Sequence, residues 1–168
     1  MRVAFIEAIV DKDLVFIDES GFDVGMQKEY GWSMKGKRLL GERFGKRQER
    51  ITLIAGLYKN KLIAPFRFEG YTNAENFNLW VEKILLPELK PNQVVVMDNA
   101  SFHKNARTKE LIESKNCQIL YLPPYSPDLN PIEKRWGTIK KIYRNYKHKY
   151  QNHYQIIDTL LCNKNVPT

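Results

Sequence analysis

The chain has 168 residues, 43% of them hydrophobic and 27% charged, which is typical of one globular domain with its own core. Its 27 Lys and Arg outnumber its 19 Asp and Glu, and the net charge of +8 favours polyanionic partners without demonstrating one. Two distant cysteines without a CxxC pair argue against a disulfide scaffold or a zinc site, and they fit a reducing compartment. No apolar run approaches the roughly 20 residues that a membrane helix needs. We therefore expect a cytoplasmic protein.

The first half of the chain is predicted to contain three strands. The apolar, partly β-branched run 14–17 predicts a buried strand. Residues 21–50 contain several glycines and no clear period, and their second part is strongly basic. Residues 51–58 and 61–67 then predict a β-hairpin, with its turn at 59–60.

The second half alternates between helices and strands. A capping box at 72–75 predicts a helix start, followed by an apolar stripe at helical spacing. Residues 93–97 form the most strand-like run, 104–115 predict a short helix and 118–122 a further strand. A proline-rich loop then leads into a long helix from Pro131. This order predicts an α/β fold with a mixed five-stranded sheet flanked by helices.

Two acids directly follow apolar strands, Asp18 after Val-Phe-Ile and Asp98 after Val-Val-Met. Ligands gather at the carboxyl ends of strands in α/β sheets, because the loops diverge there and leave a crevice. An Asp that simply begins a turn is the alternative for each residue taken alone.

A third acid, Glu133, lies in the first turn of the long helix. Asn130 as N-cap, Pro131 at the first helical position and Glu133 closing a capping box form a structural alternative. Glu133 also lies at the edge of the helix's apolar stripe, with Gly137 and two cations following on its own face. Three acids brought together would repel unless a cation neutralised them, and hard oxygen ligands select Mg²⁺ or Mn²⁺.

Three segments, 16–22 (FIDESGF), 96–103 (VMDNASFH) and 122–133 (LPPYSPDLNPIE), resemble the catalytic motifs of mariner-superfamily DDE transposases, most closely those of the bacterial insertion-sequence branch. The resemblance implies a ribonuclease H-like catalytic domain over residues 13–168. It further implies that Asp18, Asp98 and Glu133 are the catalytic residues and together hold two Mg²⁺ or Mn²⁺ ions.

The same resemblance suggests which residues approach DNA. The basic insertion at about 21–50 falls where mariner-type enzymes carry a loop used in DNA or subunit contacts. Glu19 is interpreted as part of the first motif rather than as a metal ligand. His103 is expected to contact DNA or to support the site, with a structural hydrogen bond as the alternative. The residues expected to bind DNA are Lys35, Lys37, Arg38, His103, Lys104, Arg135, Lys140 and Arg144.

The function implied is metal-dependent cleavage of double-stranded DNA at transposon ends and strand transfer into a TA target, by a cytoplasmic, nucleoid-associated enzyme. Full-length relatives carry helix-turn-helix domains ahead of the catalytic domain. Here residues 1–12 are interpreted as a linker remnant, or as a short helix, and that domain is expected to be absent. A homodimer, or pairing with a full-length or upstream-encoded transposase part, is expected. A non-catalytic regulator that pairs with a full-length transposase is the alternative function. A ribonuclease H or resolvase-like nuclease would leave the proline-rich third motif unexplained.

Overall fold

The computed structural model describes residues 2–23, 33–37, 50–149 and 152–162. The strands are β1 (Leu14–Asp23), β2 (Arg50–Tyr58), β3 (Lys61–Glu69), β4 (Val94–Met97) and β5 (Gln118–Tyr121). The helices are α1 (Arg2–Ile9), α2 (Ala74–Trp80), which continues through a π-helical segment (Val81–Leu85) into α3 (Leu86–Glu88), α4 (Ala106–Glu113), α5 (Ile132–Tyr146) and α6 (His153–Cys162). Short 3₁₀ turns span Pro127–Leu129 and Lys147–Lys149.

The five strands form one mixed sheet in the order β3-β2-β1-β4-β5. The β1–β2 and β2–β3 pairs are antiparallel, and the β1–β4 and β4–β5 pairs are parallel. The hairpin turn lies at residues 59–60, as predicted, because β2 ends at Tyr58 and β3 begins at Lys61. The predicted α/β architecture with a mixed five-stranded sheet is therefore confirmed.

Helices cover both faces of the sheet, so alternate residues of each central strand are buried on opposite sides. Val15 and Ile17 of β1 pack in a core with Trp80 of α2 and with the helical segments that follow. On the other face, Phe22 of β1 lies in a core with Trp136 of α5 and with α6. This alternation places neighbouring residues of β1 on different faces, which positions the functional side chains described below.

The N-terminal segment is helical and is anchored to the sheet. Phe5 of α1 is buried in a cluster with Val94, Val96 and Leu122. Of the two interpretations given for residues 1–12, the short helix therefore describes residues 2–9. No helix in the described part of the chain is long and apolar enough to cross a membrane.

Two local predictions need correction. Strand β1 does not end at Asp18 but runs to Asp23, because residues 19–23 pair with the antiparallel neighbour β2. The capping box of α2 begins at Asn73 rather than Thr72. Asn73 Oδ1 accepts from the Asn76 backbone N–H and Asn76 Oδ1 accepts from the Asn73 N–H, both at 2.9 Å. The side chains of Asn73 and Asn76 thus form the capping box, one residue later than the predicted box at 72–75.

Candidate active site

Asp18 and Asp98 lie side by side on neighbouring parallel strands. The β1–β4 ladder pairs Leu14 with Val94 and Phe16 with Val96. Asp18 and Asp98 would pair in the same register, because Asp18 lies two residues after Phe16 and Asp98 two residues after Val96. Because side chains alternate between the two faces, both acids fall on the face that α5 covers. The two aspartates predicted from the strand ends therefore meet, although only Asp98 follows the end of its strand.

Helix α5 contributes the third acid and fixes its position relative to the first. The indole Nε1 of Trp136 donates a hydrogen bond to Asp18 Oδ2 at 3.2 Å. Glu133 lies three residues earlier, one helical turn away, and is exposed. No side-chain cap hydrogen bond is present at the start of α5, whose N-cap residue is Pro131, so the capping alternative for Glu133 is not realised.

All three acids line one cleft of about 400 Å³. Asp18, Asp98 and Glu133 form its acidic side, and the loop from Leu122 to Pro127 contributes to its other side. Asn130 also lines the cleft, and its buried Oδ1 has no hydrogen-bond partner. The cleft thus combines three carboxylates, an amide whose acceptor is unsatisfied, and an apolar proline-rich wall.

Asp18 holds its proton more tightly than an ordinary carboxyl group does. Burial, followed by the neighbouring charges of Glu133, Glu19 and Asp98, raises the pKa of Asp18 to about 7. The Asp18 carboxylate is only 9% exposed, so solvent screens these repulsions weakly. A cation in the cleft would offset both the burial and the repulsion.

His103 connects Glu19 of β1 to Asp98, the residue that follows β4. Its Nδ1 lies 2.6 Å from Asp98 Oδ1 and its Nε2 lies 2.9 Å from Glu19 Oε1. The ring is fully buried and packs against Phe77 and Phe102. Burial by itself would lower the His103 pKa, but the hydrogen bonds and charges of the two carboxylates raise it to about 9. His103 therefore supports the site and, being buried, does not lie in the path of DNA.

The same histidine orients Asp98. Its hydrogen bond lowers the pKa of the Asp98 carboxyl, with the Ala100 backbone N–H adding to the effect against the opposing influence of burial. The Ala100 N–H donates to Asp98 Oδ1 at 2.8 Å, which is the oxygen that His103 also contacts. Both bonds are made to Oδ1 and neither to Oδ2. They therefore hold the Asp98 carboxylate in one orientation.

The donor set fits a hard divalent cation. The acids and amides that line the cleft offer carboxylate and amide oxygens, the type of ligand that Mg²⁺ and Mn²⁺ prefer over zinc. Within the described residues, however, no three His, Cys, Asp or Glu side chains are already close enough to hold one metal ion. Asp18, Asp98 and Glu133 thus share a cleft without forming a closed ligand set.

A family model described as "DDE superfamily endonuclease" matches residues 13–157, which include all three acids. The chain belongs to this family. The transposable element Tc3 transposase of Caenorhabditis elegans is 42% identical over 45 residues, which are 27% of this chain and 14% of that protein.

Solved structures of transposases and integrases share the fold of this DDE domain. The Mos1 strand transfer complex superposes with a TM-score of 0.69 at 15% identity, covering 98% of this chain and 52% of the Mos1 chain. The catalytic core domain of BIV integrase gives 0.52 at 12% identity, covering 89% and 81%. The ribonuclease H-like fold is thereby confirmed. This chain spans about half the length of Mos1, whose paired end complex has been crystallised with Mg and with Mn.

The predicted DNA-binding residues separate into different environments. Lys35 and Lys37 are exposed, and Arg38 lies outside the described residues. Lys104 is exposed beside the site, with its Nζ 5.4 Å from the centre of the Tyr121 ring. These three described lysines can meet a phosphate backbone without loss of core packing.

The predicted DNA-binding cations of α5 differ in how deeply they are buried. Lys140 and Arg144 are half-buried on the face that begins with Glu133, and Arg144 Nε donates to the Lys140 carbonyl at 3.3 Å. Arg135 is only 8% exposed, and its guanidinium donates to the Asn60 side-chain oxygen at 3.3 Å and to the Asn60 carbonyl. Arg135 therefore joins α5 to the β2–β3 turn. This placement does not favour the predicted DNA contact, because the side chain points into the protein.

Sequence reasoning missed two supporting residues. Trp136 belongs to the buried apolar stripe of α5, and its indole N–H also donates to Asp18. Glu19 was assigned to the motif without a role, and it accepts from His103. A polar atom on a residue otherwise predicted to be buried is the signal that could have identified Trp136, because a buried indole N–H needs an acceptor.

Proposed function

We propose that this chain is the catalytic domain of a transposase of the mariner superfamily, from its insertion-sequence branch. It would cut DNA strands at transposon ends and join the freed 3′-hydroxyl to target DNA at a TA site. The observation that carries the proposal is the convergence of Asp18, Asp98 and Glu133 on one cleft, where burial and then the charges of Glu133, Glu19 and Asp98 raise the pKa of Asp18 to about 7. A buried carboxylate under such repulsion is a strong candidate for cation binding.

Each residue has a separate role in this proposal. Asp18, Asp98 and Glu133 would hold two Mg²⁺ or Mn²⁺ ions, which when bound would supply a polarised nucleophile and charge stabilisation for an in-line phosphoryl displacement. His103 fixes the orientation of Asp98 through Oδ1. Trp136 holds Asp18 against α5.

Double-stranded DNA is the proposed substrate because the charge around the cleft is arranged to suit it. From residue 134 to 154 the sequence contains seven Lys and Arg and no acid, so the helix that begins at the cleft continues as a cationic surface. Such a surface can position a phosphate backbone while the acids act on one phosphate of it. Pairing with a second transposase chain, identical or longer, is part of the proposal, as is a cytoplasmic, nucleoid-associated location.

The proposal is tested by nicking of a supercoiled plasmid by the purified chain in Mg²⁺, Mn²⁺ or EDTA. We expect open-circle product with either metal and none with EDTA. Asp98→Asn should abolish nicking while leaving the unfolding temperature within a few degrees of wild type. Glu110→Gln, on the exposed surface of α4, is the matched control and should cut normally.

Product ends and strand transfer distinguish a transposase from a general nuclease. The nicks should carry 3′-hydroxyl and 5′-phosphate ends, and an oligonucleotide with a free 3′-hydroxyl should become joined to plasmid DNA. An Asp98→Asn protein that nicks as well as wild type would refute the mechanism. A folded wild-type chain that binds DNA but never nicks it would favour the rival function, a non-catalytic regulator that pairs with a full-length transposase.

A further inference from the structure

Tyr125 is exposed on the rim of the acidic cleft. It lines the cleft together with the three acids, and its side chain is fully exposed at 101% of the reference value. Its backbone has φ of 54°, in the left-handed region that bulky residues rarely adopt. An aromatic ring exposed to water on a strained backbone is unfavourable for folding. A role in binding a ligand would explain why the ring lies at this position.

The loop that carries Tyr125 is rigid before any ligand arrives. Pro123, Pro124 and Pro127 restrict its backbone. The Ser126 hydroxyl donates to the Pro124 carbonyl at 3.2 Å, and the Asn130 N–H donates to the Pro127 carbonyl at 2.9 Å. These restraints hold the loop backbone in place, so a ligand that stacks on the ring loses little affinity to ordering the loop.

A second connection fixes the loop relative to the acids. The Asn99 side-chain amide donates to the Leu122 carbonyl, which joins the start of the loop to the residue after Asp98. The start of the Tyr125 loop is therefore joined to the segment that carries Asp98. A group bound at the carboxylates and a group bound on the ring lie on connected parts of one cleft.

We propose that the Tyr125 ring is a stacking platform for an unpaired nucleobase next to the phosphate that is cut. The inference rests on the proposed function, in which the acids receive that phosphate. A nucleotide whose phosphate is at the acids carries its base, or that of its neighbour, towards the apolar wall of the cleft. That wall of proline rings and one tyrosine offers flat apolar surface to a base, which has a π-face whatever its sequence.

Binding is measured by fluorescence anisotropy with the full chain in Ca²⁺, chosen to allow binding without cutting. The probes are two duplexes that each end in a one-nucleotide overhang, one with its base and one abasic. We expect wild type to bind the DNA with the base roughly tenfold to a hundredfold more tightly, the range expected for one base on one aromatic ring. Tyr125→Ala should bind both DNAs equally, and Tyr125→Phe should restore the preference because it keeps the ring.

Tyr71→Ala is the matched control, because Tyr71 is exposed at 65% but does not line the cleft. It should keep the full preference for the overhanging base. The stacking site is overturned if wild type shows no preference, or if Tyr125→Ala retains it. Because the assay needs no cleavage, a base preference in a chain that never nicks supports the platform while the catalytic proposal fails. Nicking without a base preference leaves the catalytic proposal standing and removes the platform.

Discussion

The Trp136 indole donates its N–H to Asp18 Oδ2 across 3.2 Å, which links the second turn of α5 to the most buried acid of the cleft. The bond has two consequences. It satisfies a donor inside the apolar stripe of the helix, and it ties Asp18 to a residue that lies one helical turn from Glu133. The packing of α5 and the position of Asp18 are therefore coupled through one residue.

Trp136→Phe should separate these two roles. The phenyl ring keeps much of the packing and loses the N–H, so we expect the free energy of unfolding to fall by about 1–2 kcal/mol. The rise in unfolding temperature on adding Mg²⁺ should shrink, because Asp18 is no longer held in place. Trp80→Phe is the control, since the Trp80 N–H donates to the Ala64 carbonyl at 2.9 Å on the opposite face of the sheet. It should lose similar stability and keep the full Mg²⁺ response.

Asp18→Asn should stabilise the protein in the absence of metal. The pKa of Asp18 is raised from 3.8 to about 7, so between these pH values the folded protein binds the proton that the unfolded chain releases. The contribution of this group to stability is greatest below pH 4, declines as the pH rises and is fully lost above about pH 7. At pH 8 the Asn variant should be more stable than wild type by roughly 2–4 kcal/mol, measured by urea unfolding. Equal stability at pH 4 and a gain at pH 8 is the expected pattern, and a loss at pH 8 would contradict it.

His103→Gln should change stability in a different pH range. Since the pKa of His103 is raised from 6.5 to about 9, its charged pairing with Glu19 and Asp98 stabilises the fold fully below pH 6.5. That contribution is lost as the pH rises through 9. We expect a loss of about 1–3 kcal/mol at pH 6 that narrows by pH 10. His148→Gln, at an exposed position, is the control, and its free energy of unfolding should depend on pH as that of wild type does. If the curve of His103→Gln also ran parallel to wild type, the charged bridge between His103 and the two carboxylates would be refuted.

Lys140 and Arg144 should contribute to DNA binding through phosphate contacts. Replacing both with Ala should weaken binding to all duplexes alike and reduce the slope of log affinity against log salt by about 2. Arg135→Met is the matched control from the same helix. It should leave the slope unchanged and lower the free energy of unfolding by about 1–3 kcal/mol, because its guanidinium donates to the Asn60 carbonyl inside the protein. An unchanged slope in the Lys140→Ala/Arg144→Ala protein would place this face outside the DNA path.

The sequence by itself determined the elements whose signals are local. The run before Asp98 predicts a strand because it is apolar and mostly β-branched, and the β2–β3 hairpin follows from two apolar runs joined by two turn residues. The three acids could be predicted because each lies in a run of residues that resembles a family motif. Local sequence thus predicted the succession of strands along the chain, the mixed sheet and the acids that line the cleft.

Only the tertiary structure decided how far β1 extends and what the polar side chains around the acids contact. Strand β1 continues past Asp18 because β2 supplies hydrogen-bond partners to residues 19–23 from a distant part of the chain. Trp136 contacts an acid 118 residues away, His103 contacts Glu19 across 84 residues, and Arg135 contacts Asn60 across 75. No periodicity within a helix distinguishes Arg135 from Lys140, because burial depends on which element covers the helix face. Local patterns therefore predict which residues can serve the site, and long-range packing decides which of them support it from inside and which remain accessible to DNA.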